Sequence, residues 1–493
     1  MQRKRRKFVK IERIKVILEE SGLLVSFPDE FLSEIKNISC NSKKCGENTL
    51  FFVKGVNFKK EYLDEAIKNG AVVYVGENDL GADIPFIKVS SVRPAMPIVA
   101  REFYSFPYLK YKLAGITGTK GKTTVTYMLK NIFDEYFNKD RVAIISTNEA
   151  ICGENKYQKS GTTPEALELY SILNEFAKRD AEAACMEVSS QGLWYNRTDG
   201  IDFFVGAFLN LAPDHISPTE HKSFDEYKEA KKRLLQQSRY GVVNIDDKYA
   251  DEVMSAATCE KIYTISAEKN ADFQAKDIIL TKSGVSFRVV GKYINNEIFE
   301  IRIPGSFNVN NALVAMACAY VCGCDIQSIK TGLLKTEIDG RMDVYEKNGI
   351  TVVVDYAHNG LSIEAVLEYL KKFYPNSKIT CLFGCPGNKA YDRRTEIPQS
   401  IAKYADFAVI TSDDPEDEEP GAIMNEVEVE LKKTKIPYVK IEDRAQAVKF
   451  TLTNANKGDV VLLAGKGHET TQKVHGKLIY YKGDLPYAKE ILG

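Results

Sequence analysis

A glycine-rich run at residues 114–129, "AGITGTKGKTTVTYML", combines glycines with lysines and hydroxyl side chains. Within it, residues 118–123 read Gly-Thr-Lys-Gly-Lys-Thr and share the final Gly-Lys-Thr of the G-x-x-x-x-G-K-[ST] phosphate loop, after an apolar strand pattern and before a helical one. Glycines let backbone N–H groups close on phosphate oxygens, and the helix N-terminus adds positive potential. Lys122 would reach the outer phosphates, and the Thr123 hydroxyl would hold Mg²⁺. The run therefore predicts a nucleotide site rather than an ordinary turn. The predicted nucleotide-binding residues of the loop are Gly118, Thr119, Lys120, Gly121, Lys122, Thr123 and Thr124.

Polar side chains end two further predicted strands. Glu187 follows the apolar run in "CMEVSS", and Asp214 and His215 follow another in "NLAPDHISPTEH". The carboxyl ends of parallel strands meet at one crevice, so we expect these side chains beside the phosphate loop. A carboxylate and an imidazole there suit Mg²⁺ or its water shell. The alternative is that His215 only caps a helix or satisfies a turn.

Three α/β parts are expected to position these residues. Residues 1–110 show short strands on either side of a helix and end in a linker near 105–112. In residues 111–338 strands and helices alternate, which predicts a parallel sheet with helices on both faces and a β-rich side element near 260–303. The alternation begins again in residues 339–493. The predicted fold class is α/β in three domains, with the phosphate loop in a central parallel-sheet domain and a Rossmann-like C-terminal domain.

The charge balance and the cysteines narrow the choice of partner and compartment. Among 493 residues, Lys and Arg number 67 and Asp and Glu 68, so no global field draws the chain to nucleic acid or to a membrane. No apolar run is long enough to predict a membrane span. The ten cysteines are scattered and lack the spacing of a zinc site, which favours reduced thiols. We expect a cytoplasmic monomer that acts on small molecules.

Several motifs follow one another along the chain: "GTKGKTT", "EVSS", "DHISPTEHKSFDEYKEAKKRL", "GSFNVNNALVA", "GRMDV", "DYAH" and "GKGHE". Together they resemble the Mur ligase family, the ATP-dependent enzymes that add amino acids in bacterial cell-wall synthesis. The stretch "SCNSKKCGENTLFFVKGVNFKKEYLDEAIKNGAVVYV" is similar to the N-terminal part of the UDP-N-acetylmuramoyl-tripeptide synthetases within that family. The resemblance implies that residues 1–110 form a UDP-sugar-binding domain, 111–338 an ATP-binding domain and 339–493 an amino-acid-binding domain.

The resemblance also implies roles for residues outside the phosphate loop. Lys231, in "YKEAKKRL", matches a carbamylated lysine that acts as a Mg²⁺ ligand, although residue type alone favours a helix-surface lysine. Arg341, in "GRM", matches an arginine that reaches ATP phosphate. The other implied nucleotide-binding residues are Asn308, Asn311, Asp355 and His358, and the two asparagines have the alternative of a helix cap. The implied catalytic residues are Lys122, Lys231, His215 and Arg341. The implied ligands of two Mg²⁺ ions are Thr123, Glu187, His215 and carbamylated Lys231.

On the acceptor side, two stretches and one N-terminal turn resemble those that hold the UDP-sugar peptide. The implied acceptor-binding residues are Ser42, Thr162, Thr163, Ser189, Gln191 and Arg197. In the family, the acceptor carboxylate attacks the γ-phosphate of ATP to give an acyl phosphate, and an incoming amine then displaces phosphate. Such a reaction depends on positioning and charge neutralisation, so no protein nucleophile is required.

The added amino acid is predicted from the acidic loop "SDDPEDEEP". Family members that add meso-diaminopimelate carry D-N-P-R there, and the arginine pairs with a distal carboxylate. This chain has Asp413, Asp414 and Glu416 instead, and an acidic pocket favours the ammonium group of L-lysine. Arg394 would hold the α-carboxylate and Glu469 the amine end. The resemblance and this loop predict ATP-dependent addition of L-lysine to UDP-N-acetylmuramoyl-L-alanyl-D-glutamate.

Other functions stay open at this point. Ornithine differs from lysine by one methylene, which discriminates by only about 1–3 kcal/mol. Addition of meso-diaminopimelate would follow if the acidic loop is only a solvated turn. A folylpolyglutamate synthetase-like ligase would share the phosphate loop but would lack the UDP-sugar domain. A nucleotide-dependent switch or scaffold would need neither an acceptor pocket nor the "GKGHE" end.

Overall fold

The computed structural model describes residues 9–29, 34–55, 58–214, 216–217 and 220–493. The chain divides into two compact units. The first comprises Met1–Leu211, Lys228–Phe273 and Leu313–Gly332, and the second comprises Ala212–Tyr227, Gln274–Ala312 and Leu333–Gly493. Strands and helices alternate in both, so the predicted α/β class is confirmed. The boundaries of the three predicted domains stay a prediction.

The strands of the described residues are short, and most are apolar runs. In chain order they are β1 (Val9–Lys10), β2 (Leu24–Ser26), β3 (Glu34–Ile35), β4 (Asn37–Ser39), β5 (Thr49–Phe52), β6 (Ala71–Gly76), β7 (Phe86–Val89), β8 (Lys112–Thr117), β9 (Val142–Ile145), β10 (Ala150–Cys152), β11 (Asn155–Tyr157), β12 (Ala183–Glu187), β13 (Phe203–Phe208), β14 (Ser238–Asn244), β15 (Lys261–Ser266), β16 (Phe273–Thr281), β17 (Gly284–Val290), β18 (Glu297–Ile301), β19 (Asp343–Lys347), β20 (Ile350–Asp355), β21 (Ile379–Phe383), β22 (Phe407–Ile410), β23 (Tyr438–Lys440), β24 (Val460–Ala464), β25 (Thr471–Val474) and β26 (Lys477–Tyr480).

The helices connect these strands and cover the sheets. In chain order they are α1 (Ile11–Glu20), α2 (Lys60–Lys68), α3 (Val92–Phe103), α4 (Lys122–Tyr136), α5 (Ala166–Lys178), α6 (Ser190–Trp194), α7 (Phe224–Gln236), α8 (Ala250–Ser255), α9 (Phe307–Val321), α10 (Ile326–Leu334), α11 (Gly360–Phe373), α12 (Arg393–Tyr404), α13 (Pro420–Lys432), α14 (Arg444–Thr453) and α15 (Asp484–Leu492).

The N-terminal part of the first unit contains a sheet with the strand order β2-β7-β6-β5-β4. Strands β4 to β7 pair in parallel, and β2 is antiparallel to β7. Leu50 and Phe52 of β5 and Val73 and Val75 of β6 are fully buried and belong to one core with residues of α1 and α3. Burial of these side chains stabilises the sheet by about 1.5–3 kcal/mol each. The strands and the helix predicted for this part are present.

The central sheet of the first unit has the strand order β11-β10-β9-β12-β8-β13-β14-β15. Strands β9, β12, β8, β13, β14 and β15 are parallel, and β10 is antiparallel to both neighbours. Ile116 of β8 is in register with Glu187 of β12, and Thr117 of β8 with Phe208 of β13. The phosphate loop, Glu187 and the segment after β13 therefore leave the sheet at the same edge, as predicted.

The second unit contains a sheet with the strand order β19-β20-β24-β21-β22-β23, in which only β19 is antiparallel to its neighbour. Strands β20 and β24 are buried along their whole length, which explains why their sequences are mostly apolar. Strands β16, β17 and β18 form an antiparallel ribbon, the predicted β-rich side element. The run "IYTIS", which was expected in that element, belongs instead to β15 and pairs in parallel with β14.

Two further observations concern the whole described chain. Among the described residues, no helix combines the length and the apolar character that a membrane span requires. The thiols of Cys318, Cys322 and Cys324 lie buried on and just after α9. Burial raises the pKa of the Cys324 thiol to about 12, so this side chain behaves as a neutral core residue.

Candidate active site

The phosphate loop connects β8 to α4 through two glycines with positive φ. Gly118 has a φ of 159°, and a Cβ there would lie 2.7 Å from the Cβ of Leu209. Gly121 precedes α4 with a φ of 88°, in the left-handed region that residues with a Cβ rarely adopt. Only glycine therefore suits these two positions, where the loop leads into the N-terminus of α4.

Asn210, just after β13, holds the shape of this loop. Its side-chain oxygen accepts from the backbone N of Lys120 at 2.9 Å, and its side-chain nitrogen donates to the carbonyl of Lys120 at 3.1 Å. The backbone N of Thr119 also donates to the carbonyl of Asn210 at 3.0 Å. Sequence reasoning missed Asn210, although an asparagine at the end of a strand beside the loop is a signal that could have identified it.

Lys122 and Thr123 begin α4. The ammonium of Lys122 donates to the carbonyls of Gly118 at 2.9 Å and Thr119 at 3.2 Å, so it lies along the loop where phosphates are expected. The hydroxyl of Thr123 donates to Glu187 at 3.0 Å. Thr124 is buried in the same helical turn. The structure thus brings the predicted loop residues together with Glu187 of the neighbouring strand.

Glu187 lies at the centre of a buried hydroxyl cluster. Only 1% of the residue is exposed. Besides the Thr123 hydroxyl, its carboxylate accepts from the backbone N of Thr147 at 2.7 Å and from the Thr147 hydroxyl at 3.2 Å. Oxygen donors of this kind suit Mg²⁺. Among the described residues, no group of three or more His, Cys, Asp and Glu side chains is arranged for a metal.

Lys231 of α7 is buried, with 1% of the residue exposed, and its ammonium donates to the carbonyl of Gly118 at 2.8 Å. The helix-surface position that its residue type favours is therefore wrong, because α7 presents Lys231 to the phosphate loop. Its neighbour Lys232 instead forms ion pairs with Glu229 and Glu252, both at 2.7 Å. His215 lies outside the described residues.

The predicted acceptor threonines lie beside Glu187. The Thr163 hydroxyl donates to the backbone carbonyl of Glu187 at 3.0 Å and accepts from the backbone N of Ser189 at 2.9 Å. The hydroxyls of Thr162 and Thr147 are hydrogen-bonded at 3.1 Å. Arg197 donates to the carbonyl of Thr163 at 2.9 Å. These five residues therefore form one continuous hydrogen-bond network with Glu187.

The remaining acceptor residues lie close to this network or in a separate cavity of the same unit. Gln191 is half-buried in α6, which Ser189 caps by accepting from the backbone N of Gly192 at 3.0 Å. Ser42 lines a cavity of about 1230 Å³, and its hydroxyl donates to Glu65 at 2.5 Å. A cavity of this size can hold a nucleotide-sized ligand.

An ion-pair bridge links that cavity to Arg197. Glu165, which lines the cavity, accepts from Lys54 at 2.8 Å and from Arg197 at 2.7 Å. Burial would raise the pKa of the Glu165 carboxyl, but the two cations outweigh this effect and lower the pKa. Glu165 therefore stays charged and holds both cations in place.

In the second unit, the two predicted asparagines lie in the first turn of α9. Asn308 donates to the carbonyl of Pro304 at 2.8 Å, and Asn311 donates to the side-chain oxygen of Asn308 at 2.8 Å. Both residues are buried. Neither asparagine is a helix N-cap, because both lie inside α9 and the Asn308 side chain donates to a carbonyl instead of accepting from a backbone N–H. Adenine contact stays a prediction.

Arg341, Asp355 and His358 surround Tyr356. The Arg341 guanidinium lies 4.5 Å from the centre of the Tyr356 ring. The Nδ1–H of His358 donates to the Tyr356 carbonyl at 2.6 Å. Burial raises the pKa of Asp355, and Arg341 opposes this shift. The structure brings these three predicted residues together at the carboxyl end of β20.

Asp343 holds the turn that carries Arg341. Its carboxylate accepts from the backbone N of Gly340 at 2.6 Å. Burial is the main cause that raises the pKa of Asp343 from 3.8 to about 6, and the nearby charge of Asp339 adds to it. Between these values the folded protein binds more protons than the unfolded chain. The contribution of this carboxyl to stability is therefore present at low pH and is lost as the pH rises through about 6.

We expect Asp343→Asn, which cannot ionise, to melt at a higher temperature than the wild type at neutral pH. The difference in Tm should be small near pH 4, grow as the pH approaches about 6 and then level off. Thermal denaturation of the variant and the wild type from about pH 4 to neutral pH measures this difference in Tm. Asp64→Asn, on an exposed position of α2, is the control and should show no such growth. A Tm difference that is independent of pH would contradict the assignment.

Three carboxylates surround one buried ammonium in the predicted amino-acid site. Lys466 lies 3.3 Å from Asp413, 2.5 Å from Asp414 and 3.1 Å from Glu469, and its side chain is fully buried. The Tyr356 hydroxyl also donates to Glu469 at 3.0 Å. Burial raises the pKa of Glu469, and Lys466 opposes this shift. Sequence reasoning missed Lys466, although it lies within the quoted "GKGHE".

The other residues predicted to bind the amino acid already hold partners. Glu416 pairs with Lys389 at 3.1 Å and with Lys473 at 2.6 Å. Arg394 is buried and pairs with Glu418 at 2.8 Å and with Glu426 at 2.7 Å. The acidic loop is therefore an ion-pair network, and its negative charge is only partly available to a ligand.

Both the central and the C-terminal parts of the chain match known protein families. Residues 116–319 match the model of the Mur ligase middle domain, and residues 340–467 match the Mur ligase, glutamate ligase domain. The UDP-N-acetylmuramoyl-L-alanyl-D-glutamate–L-lysine ligase of Streptococcus pneumoniae is 36% identical over 498 residues, which cover 98% of this chain and 100% of that protein.

Proteins named for a different amino acid are similar to the same degree. The UDP-N-acetylmuramoyl-L-alanyl-D-glutamate–2,6-diaminopimelate ligase of Caldanaerobacter subterraneus is 37% identical over 467 residues, 93% of this chain and 95% of that protein. A solved structure of a ligase with the same name superimposes with a TM-score of 0.68 at 27% identity, covering 98% of this chain and 99% of that one. Both domain models and near-complete coverage by these relatives show that the chain belongs to the Mur ligase family of ATP-dependent peptide ligases.

Proposed function

We propose that this ligase joins L-lysine to UDP-N-acetylmuramoyl-L-alanyl-D-glutamate, with conversion of ATP to ADP and phosphate, in the synthesis of a peptidoglycan precursor. Family membership supports the ATP-dependent ligase chemistry. The degree of identity does not choose the amino acid, because relatives named for lysine and for diaminopimelate are equally similar. The observation that carries the choice of lysine is the excess of carboxylates around Lys466.

Charge in the amino-acid site favours a ligand with a second ammonium group. Asp413, Asp414 and Glu469 form ion pairs with a single ammonium, that of Lys466, so the carboxylates in direct contact outnumber the cation. A distal carboxylate, as in diaminopimelate, would be repelled there, whereas the lysine ammonium would be attracted. Glu416 contributes less than its sequence position suggests, because two lysines of the chain neutralise it.

The reaction needs charge neutralisation more than it needs a nucleophile. The acceptor carboxylate oxygen forms a bond to the γ-phosphorus as the bond to ADP breaks, which gives an acyl phosphate. The amine nitrogen then attacks the acyl carbon, phosphate leaves and the amine proton passes to solvent. The N-terminus of α4, which follows the phosphate loop, and the ammonium of Lys122 are suited to hold the phosphate oxygens through these steps.

The donors around Glu187 fit a divalent cation. Thr123 and Glu187 supply oxygens, and His215 is a further predicted ligand. Carbamylation of Lys231, by addition of CO₂ to its amine, would replace a buried cation with an anionic oxygen ligand. A bound Mg²⁺ ion would neutralise part of the negative charge of the phosphates. Two ions are proposed, one associated with the loop hydroxyl and one with carbamylated Lys231.

The remaining residue roles rest on the motifs. Ser42, Thr162, Thr163, Ser189, Gln191 and Arg197 are proposed to bind the acceptor. Asn308, Asn311, Arg341, Asp355 and His358 are proposed to bind ATP. Arg394 is proposed to bind the α-carboxylate of lysine, which requires it to exchange one of its two carboxylate partners for the substrate.

We expect phosphate release with the proposed acceptor to be fastest with L-lysine. L-ornithine should be used less well by about 10-fold or more in kcat/KM, and meso-diaminopimelate by at least about 100-fold. Asp414→Asn removes a carboxylate next to Lys466 and should raise KM for lysine about 10-fold. Glu416→Gln is the matched control. Its KM for lysine should stay within about 2-fold of the wild-type value, since Glu416 is already paired with two lysines.

The same assay distinguishes the alternatives. Turnover with diaminopimelate but not with lysine would overturn the proposed specificity. Activity with a folate-type acceptor and glutamate would favour a folylpolyglutamate synthetase-like ligase. ATP hydrolysis that does not depend on any acceptor or amine would favour a switch or scaffold.

A further inference from the structure

Lys159 lies in the segment between β11 and α5, three residues before Thr162. Its ammonium donates to the carbonyl of Thr147 at 3.1 Å and to the carbonyl of Gly161 at 2.5 Å. Both of these carbonyls belong to the stretches that surround Glu187.

Thr147 connects Lys159 to the predicted metal and acceptor residues. The backbone N and hydroxyl of Thr147 donate to the two carboxylate oxygens of Glu187, at 2.7 Å and 3.2 Å. The same hydroxyl is bonded to Thr162 at 3.1 Å. A single residue, Thr147, therefore connects the Lys159 ammonium both to the Glu187 carboxylate and to Thr162, which is proposed to bind the acceptor.

The charge of Lys159 is poorly neutralised where it lies. Across the residues that the structure describes, only these two carbonyl oxygens are hydrogen-bonded to its ammonium, and no carboxylate forms an ion pair with it. Burial lowers the pKa of the Lys159 ammonium, and the more distant charges of Glu187 and Glu168 oppose this shift. An ammonium has three N–H donors, so one donor is left for an anion.

We propose that Lys159 binds a carboxylate of the acceptor's terminal D-glutamyl residue; this rests on the proposed function. Attack of a carboxylate on ATP brings two anions together, and a cation on the acceptor side reduces their repulsion. Lys122 is expected to serve the phosphates, whereas Lys159 extends from the stretch that carries Thr162 and Thr163. The two lysines thus neutralise opposite partners of the same reaction.

A structural role is the competing explanation. Lys159 could simply fasten the segment around Gly161 to Thr147 through its hydrogen bonds. Lys159→Gln separates the two, because the amide can still donate to carbonyls but carries no charge. Lys159→Arg keeps the charge. Lys178→Gln is the matched control, since Lys178 is an exposed lysine of the same unit, at the end of α5.

The test compares two acceptors by calorimetry, UDP-N-acetylmuramoyl-L-alanyl-D-glutamate and UDP-N-acetylmuramoyl-L-alanine, which lacks the D-glutamyl carboxylates. We expect Lys159→Gln to weaken binding of the first about 10-fold or more and of the second by less than about 2-fold. Lys159→Arg and Lys178→Gln should retain the wild-type ratio of the two Kd values. In turnover, Lys159→Gln should lower kcat/KM for the acceptor while KM for lysine stays unchanged.

Equal weakening of both acceptors by Lys159→Gln, or no weakening of either, would overturn the proposal. Each of these results is readable only if wild-type protein turns over the acceptor with lysine, which is measured first. Absence of that turnover would overturn the proposed function itself, so failure at the two levels is distinguishable. A Tm for Lys159→Gln close to that of the wild type excludes unfolding as the cause of weaker binding.

Discussion

Lys231→Ala is expected to lose about 10²- to 10³-fold in kcat/KM, with its fold intact. Lys231 is buried, and its ammonium lies 2.8 Å from the carbonyl of Gly118 in the phosphate loop. If Lys231 is carbamylated, alanine removes an anionic ligand from the site that neutralises phosphate charge. If it is not, alanine removes a cation beside the phosphates. Either loss acts on the charge that develops during phosphoryl transfer.

Two measurements separate these explanations. Added short carboxylic acids should partly restore turnover to Lys231→Ala if the missing group is a carboxylate-like ligand, because the cavity left by the side chain can admit a small anion. Wild-type activity should also rise with added bicarbonate after dialysis against CO₂-free buffer. Rescue by short amines instead would favour the unmodified ammonium.

Lys232→Ala is the matched control for this experiment. The two lysines are adjacent in α7, but Lys232 points to Glu229 and Glu252 and not to the phosphate loop. Turnover of Lys232→Ala should stay near that of the wild type. Equal turnover of the Lys231 and Lys232 variants would remove Lys231 from the active site.

Asp484→Asn is expected to have the largest effect on stability, about 3–5 kcal/mol of unfolding free energy. Asp484 and Arg444 form a two-point ion pair at 3.0 Å and 2.7 Å, and both side chains are fully buried. The Tyr481 hydroxyl donates to the same carboxylate at 2.5 Å. Asparagine would leave the charge of Arg444 buried without a counter-ion, which is the costly outcome for such a pair.

Urea unfolding, followed by circular dichroism, measures this loss as a lower midpoint. The double variant Arg444→Met/Asp484→Leu removes both charges and should be more stable than Asp484→Asn, since no unpaired charge remains. Glu490→Gln breaks the exposed pair with Lys482 and should leave the midpoint unchanged. A double variant as unstable as the single one would indicate that packing around the pair, not its charge, supports the unit.

Local patterns were sufficient to predict the fold class. The alternation of short apolar runs with amphipathic segments predicted a parallel sheet, and β8, β12 and β13 have the order and edge that the prediction required. The alternation expected in residues 339–493 is also present, with α11 and α13 among its helices. These features depend on neighbours in sequence, so they are readable without the tertiary structure.

The sequence was less informative wherever a side chain's role depends on residues far along the chain. Glu416 was predicted to attract the substrate ammonium because its neighbours are acidic, yet Lys389 and Lys473 neutralise it. Arg394 was predicted to bind the α-carboxylate of the added amino acid, and in the structure it pairs with the carboxylates of Glu418 and Glu426. Asn210, Thr147 and Lys466 were missed because their partners come from other strands and loops.

The sequence by itself determined that a nucleotide loop follows β8 and that the chain carries the motifs of a Mur ligase. Glycine spacing and apolar runs encode these properties locally, since backbone conformation at Gly118 and Gly121 depends mainly on the absence of a Cβ. Only the tertiary structure decided the burial of Lys231 and the neutralisation of Glu416 in the acidic loop. Electrostatic environment depends on which charges meet in space, and residues more than 100 positions apart, such as Lys231 and Gly118, meet only after folding.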